Sequence, residues 1–199
     1  MTRLALTALV LTVAAPASAQ ESAAPDDVTF FVRDVAVGAS GMGGPGSGPF
    51  ALISLRDGRV VPNADSASTA WDLGFRGTEV IVNGGTSGPG EAAAVLLDAP
   101  FDEVTALPPA SALLADGERE CLRGPAAAVC SGSGNGWYLY ESNGVRPVPG
   151  QTLAVRLADG EGAAKVRFVS YYRGAPDEPG TTEPRFYTLE VAPLAPCQE

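Results

Sequence analysis

The chain has 199 residues, 45% of them apolar and 18% charged, which is the composition of a folded domain and not of a disordered segment. It contains no histidine, so a Ser-His-Asp triad, a Cys-His dyad and a His-ligated zinc or haem iron are excluded. Its 13 Lys and Arg against 23 Asp and Glu give a formal charge of −10, which offers no basic footprint to nucleic acid or to an anionic lipid surface.

Arg3 is followed by an uncharged apolar run over residues 4–15 and then by Pro16-Ala17-Ser18-Ala19. That order predicts an export signal over residues 1–19, cleaved before Gln20, and the run is too short to span a bilayer. No cysteine lies near the cleavage site, so no lipid anchor is encoded there, and the mature chain is expected in the periplasm or outside the cell. Residues 20–27 read as a loose polar leader, and 28–37, rich in β-branched and aromatic types, as a strand. A glycine-rich loop over 38–49 holds Met42. A strand over 50–55 turns at Asp57-Gly58 into 59–61. Short apolar runs over 71–76 and 78–82 are broken by Asn83-Gly84-Gly85, types that tolerate positive backbone angles. A Gly/Ser/Pro loop extends to Gly90, then come runs over 92–97 and 101–104.

Between 105 and 136 the pattern lapses. Ser111 is expected to cap one helical turn through Leu114. In an oxidising compartment the three cysteines acquire a meaning. They allow three single pairings. The favoured one is Cys121 with Cys130, which flank the Pro/Gly/Ala-rich residues 122–129, and Cys197 is then left over near the end. The last third is the most regular. Leu153, Val155 and Leu157 alternate with Thr152, Ala154 and Arg156. Lys165 and Arg167 alternate with Val166 and Phe168 up to Tyr171-Tyr172, and Tyr187, Leu189 and Val191 repeat the pattern. Period two with one dry face predicts three antiparallel strands in a meander. The class expected is all-β: one antiparallel domain over 28–192, a sandwich or open barrel with Gly/Pro-rich loops and little helix, ending in a tail over 193–199.

Four runs occur together: Ser68-Thr69-Ala70-Trp71-Asp72-Leu73-Gly74-Phe75-Arg76, Val82-Asn83-Gly84-Gly85-Thr86-Ser87, Trp137-Tyr138-Leu139-Tyr140, and Arg156-Leu157-Ala158-Asp159-Gly160 leading to the 164–172 run. In this order and spacing they resemble the HmuY family of bacterial secreted or surface haem-binding proteins, over about residues 28–191. The resemblance implies an all-β domain that holds haem between loops, with His or Met on the iron, and that hands it to an outer-membrane receptor. The family's ligands would fall in 105–136, where this chain has neither His nor Met, so no axial ligand carries over.

The substitutes are Met42, and Tyr138 and Tyr140, which are expected on one strand face opposite Trp137 and Leu139. Arg119 and Arg123 are candidates for haem propionates, because a guanidinium forks two hydrogen bonds to a carboxylate. Trp71 and Phe75 are expected in the core, and Asp72 and Arg76 to pair or to cap a turn. The functions these residues allow are capture of haem or another flat apolar molecule in a cleft lined by 105–136, or a non-catalytic module on the same scaffold that binds a protein or glycan. Asp98, Asp102 and Glu103 are the carboxylates a His-free hydrolase would draw on, but no spacing fixes a pair, and no enzyme is expected.

Overall fold

The computed structural model describes residues 28–38, 48–122, 124–141 and 144–195. The segments expected to be an export signal and a leader, together with Met42, Arg123 and Cys197, lie outside the described residues.

The alternating segments become strands because one side of each has a core to face. Eleven strands are formed in chain order: β1 Phe30–Ala36, β2 Ala51–Ile53, β3 Val60–Val61, β4 Leu73–Arg76, β5 Glu79–Val82, β6 Ala93–Leu97, β7 Tyr138–Glu141, β8 Gly144–Pro147, β9 Thr152–Arg156, β10 Ala163–Tyr172 and β11 Pro184–Pro193. Among the described residues the helical content is three 3-10 turns of three residues each, at Asn63–Asp65, Phe101–Glu103 and Ala110–Ala112. The apolar run over 101–104 forms the second of these turns. Five strands pair in the order β1-β11-β10-β9-β6, four in the order β3-β2-β4-β5, and β7 with β8 alone. All these strand pairings are antiparallel. The protein is an all-β sandwich, and the expected meander is β9-β10-β11.

The main core lies between the five-stranded and four-stranded sheets. Ile53, Leu73, Phe75, Val80 and Val82 from one sheet meet Leu153, Val155, Val166, Leu189 and Val191 from the other. Trp137 enters from just before β7, stacked on Phe168 with centroids 4.6 Å apart, and its indole N–H donates to the Thr78 carbonyl at 3.0 Å. Tyr187, fully buried against Phe75, donates its hydroxyl to the Gly77 carbonyl at 2.8 Å. Burial pushes that phenol well above its ordinary range. Trp71 and Phe75 are both buried, but Trp71 belongs to a small outer cluster with Leu52 and Val61.

The outer face of the five-stranded sheet has its own covering at one end. Val104 and Leu194 pack on Ala154 there. Lys165 Nζ secures that covering by donating to the carbonyls of Phe101 (2.8 Å) and Val104 (2.9 Å). Leu194 N–H donates to Ala163 and Leu107 N–H to Ala195, so the paired chain reaches Ala195, past the boundary expected at 192.

Asp72 and Arg76 do not pair with each other. Arg76 binds Glu79 at 2.7 Å and lies over the Phe50 ring. Asp72, 4% exposed, clamps the two sheets. Its Oδ2 accepts from Leu55 N–H after β2 (2.7 Å), and its Oδ1 accepts from Ala158 N–H after β9 (2.8 Å). Burial raises its pKa above the ordinary 3.8, against the pull of those two N–H groups and of Arg56. Asn83, fully buried, acts in the same way on the loops. Its amide donates to the carbonyls of Ser68 (2.9 Å) and Trp71 (2.7 Å) and its oxygen accepts from Gly90 N–H (3.1 Å). The glycines of that loop are there for close approach. A Cβ on Gly84 would run into the Ala92 carbonyl, and one on Gly88 into the Asn83 side chain.

Asp72→Asn leaves one N–H facing an amide NH2, and is expected to cost about 1–3 kcal/mol in denaturant unfolding at pH 7. A carboxyl with a raised folded pKa binds its proton more tightly folded than unfolded. Its contribution to stability therefore grows as pH falls from that raised value to 3.8 and is constant below. Because Asn cannot titrate, the deficit of the variant widens on acidification through this window. A deficit that shrinks there contradicts the sign.

Candidate functional site

The segment expected to line a cleft, 105–136, is instead a closed loop docked on the sandwich. The turn Ala110–Ala112 starts at Pro109, with no side-chain cap, so Ser111 lies inside the turn and does not cap it. Asp116, 2% exposed, anchors the next stretch of chain. Its Oδ2 accepts from Val82 N–H (2.9 Å), its Oδ1 from Ala128 N–H (2.8 Å), and its carbonyl from Thr86 N–H (2.9 Å). Burial raises its pKa, opposed by the N–H groups of Ala128 and Val82 and by the Ser87 hydroxyl.

The chain then doubles back through Gly117 N–H to the Ala126 carbonyl and Ala127 N–H to the Arg119 carbonyl. The disulfide Cys121–Cys130 closes it, with Cα atoms 5.4 Å apart. Ala128, Val129 and Cys130 are buried, the first two in the main core, whereas Arg119 and Leu122 are exposed. The guanidinium of Arg119 has no acidic partner among the described residues.

The two tyrosines part company. Tyr138 is 8% exposed, its ring 5.0 Å from Trp137 and its hydroxyl 3.3 Å from Thr78 Oγ1, whereas Tyr140 is 71% exposed. Strand alternation alone would put Trp137 on the opposite face from Tyr138. Trp137 lies just ahead of the strand, where the alternation of faces does not yet apply, and both rings go into the core. Tyr140, two residues on in β7, faces solvent. Asp98, Asp102 and Glu103 are exposed, and Asp98 accepts from the Gln151 amide at 3.1 Å. Among the described residues no three His, Cys, Asp or Glu side chains gather to hold a metal ion.

A groove of about 580 Å³ opens elsewhere, lined by Phe31, residues 145–151, residues 167–172, Pro176, Asp177 and Pro179. None of these falls in 105–136, and Tyr138, Tyr140 and Arg119 do not line it. Its origin is a divergence of strands. β10 runs to Tyr172, but its ladder with β9 ends at Val166 opposite Leu153. The chain before β9, residues 147–151, bends away and carries Pro147 and Pro149, which have no N–H to continue a ladder.

The β7–β8 hairpin forms the far wall. It is fastened to β10 where Val145 N–H donates to the Tyr172 hydroxyl at 2.9 Å. Arg146 sits between Glu141 and Glu178, 3.2 Å from each, and Arg167 pairs with Glu190. Phe31, 44% exposed, stands at the margin with Arg33 over its ring at 4.5 Å. The Tyr171 phenol is pushed up to about 12, chiefly by burial, so it stays protonated at neutral pH. The sequence carries one signal for this groove, the two prolines ahead of a regular strand. Which strand loses its partner there is not readable from spacing.

No family model matches the chain and no curated protein is similar to it.

The disulfide closes a short loop, so its reduction is expected to cost roughly 2–3 kcal/mol in the chain-entropy model. Urea unfolding with and without a dithiol reductant measures it. An unchanged midpoint would mean that Asp116 alone holds the loop.

Proposed function

We propose that the protein is an exported, non-catalytic binding module whose ligand lies in the groove between the β7–β8 hairpin and β10. The groove carries this reading. It has a volume in the range of small-ligand sites, roughly 300–1,000 Å³, and a lining dominated by aromatic, aliphatic and proline side chains. Its two arginines are already matched by acids, so it makes no strong demand for a charged ligand. The disulfide supports residence in an oxidising compartment.

A flat apolar molecule fits such a slot, and haem is the member of that class which the HmuY resemblance brings forward. The described lining has no Cys or Met and the chain has no His; of its two phenols, Tyr171 is kept protonated by burial and the Tyr172 hydroxyl is engaged by Val145 N–H. Haem in this groove would be held by its faces and edges, with no grip on the iron. Metal-free protoporphyrin is therefore expected to bind about as tightly as ferric haem. Each would quench the emission of Trp137, which stacks on the lining residue Phe168, and neither would give the Soret shift of an axially ligated iron. No saturable change with either porphyrin at micromolar concentration would remove flat apolar molecules as ligands. A response to haem alone would place the site at an iron-binding side chain outside the groove.

A further inference from the structure

One side of the groove is formed by the loop over 173–183 that joins β10 to β11, through its residues Pro176, Asp177 and Pro179. The two feet of this loop are fixed. Arg173 N–H donates to the Glu183 carbonyl at 2.9 Å, and the two side chains pair at 2.6 Å. The Thr182 hydroxyl donates to the Arg173 carbonyl at 2.8 Å, and Gly174 N–H to Asp34 Oδ1 of β1 at 2.7 Å. Just inside the feet stand Gly174 and Gly180, at φ 72° and 80°. Glycine turns through such angles with no Cβ to clash, and hinge positions are commonly small residues at loop ends. Between the two glycines Pro176 and Pro179 stiffen the tip.

The tip is fastened to the hairpin wall through a carboxylate. Glu178 binds Arg146 of β8 at 3.2 Å, and the same guanidinium binds Glu141 of β7 at 3.2 Å. Nη2 is turned to Glu178 and Nε to Glu141. All three side chains are more than a third exposed, so each pair competes with water and is weak by itself. Arg146 and Glu141 both belong to the hairpin and stay together wherever the tip is. When Glu178 leaves, Arg146 keeps a counter-ion. When Glu178 returns, it comes in beside a like charge. Two carboxylates thus compete for one cation, and only one of them can move away with the loop.

We propose that residues 174–180 are a lid on the groove, latched by Glu178 on Arg146 and kept readily released by Glu141. The lid controls entry and escape of the ligand. That consequence rests on the groove being the ligand site, whereas the motion itself needs no ligand.

The two glutamates are told apart by sign. Glu178→Gln removes the latch and is expected to raise the open population about two- to five-fold, and Glu141→Gln removes the competitor and is expected to lower it about twofold. Both positions are exposed, and each substitution removes one negative charge from the same mouth, so a general field effect would move both variants in one direction. The populations are read without ligand, from relaxation dispersion of the Asp177, Gly180 and Thr181 amides. Dissociation of metal-free protoporphyrin, followed by recovery of Trp137 emission, should quicken in Glu178→Gln and slow in Glu141→Gln by similar factors. Shifts of the same sign in the two variants, or no exchange at these amides in the unaltered protein, overturn the latch. Porphyrin that binds but leaves equally fast from all three proteins overturns the lid. If the amides shift with opposite signs and porphyrin does not bind, the latch stands and the reading of the groove as a site for flat apolar molecules falls.

Discussion

A carboxylate that should be costly to bury holds the two layers of this protein in register. Asp72 is almost inaccessible, and each of its oxygens accepts a backbone N–H from a different sheet, from Leu55 beyond β2 and from Ala158 beyond β9. Its own backbone N–H donates to Ile53 and its carbonyl accepts from Asn83, so one residue ties its own segment to three others. Dispersion between two apolar faces is non-directional and would tolerate several alignments of the sheets. A buried acceptor with two obligatory donors does not. Asn83 and Asp116 extend the principle to the irregular chain, where backbone groups that have no ladder are satisfied by a buried side chain.

This arrangement also explains where the groove lies. β9 is clamped at its C-terminal end, where Ala158 meets Asp72. At its N-terminal end no comparable bond draws the chain back to β10, and Pro147 and Pro149 forbid a continued ladder. The two strands therefore stay together at one end and part at the other. The hairpin that fills the far side is fixed independently by Trp137 in the core and by the Tyr172 hydroxyl. The groove is preformed, with proline-stiffened walls that lose little freedom when occupied.

The sequence discloses the parts of the fold that rest on local periodicity. Leu153-Val155, Val166-Phe168 and Tyr187-Leu189-Val191 declare their faces because one side of each strand is dry, and the meander results from them. The pairing of Cys121 with Cys130 is readable because the intervening loop is short. The hidden parts depend on bonds between residues distant in the chain. Asp72 and Asp116 look like surface acids until Ala158 and Ala128 are brought to them, 86 and 12 residues away. Gly88 and Gly90 look like a loose loop or a ligand cradle, yet they let the chain pack on Asn83 and Ala158. β8 is four residues with a proline and too short for periodicity to show. The family resemblance directs the search for a site to 105–136. The groove arises instead from a missing strand pairing, which has no signature in residue type.

Carboxyl-carbon NMR of Asp72 through an acid titration, read together with the amide signals of Leu55 and Ala158, tests the clamp most directly. A carboxylate held between the sheets predicts a midpoint above 3.8, with both amides moving at that same midpoint. Titration at the ordinary value with both amides unmoved would mean that Asp72 is solvated and that the sheets are aligned by some other means.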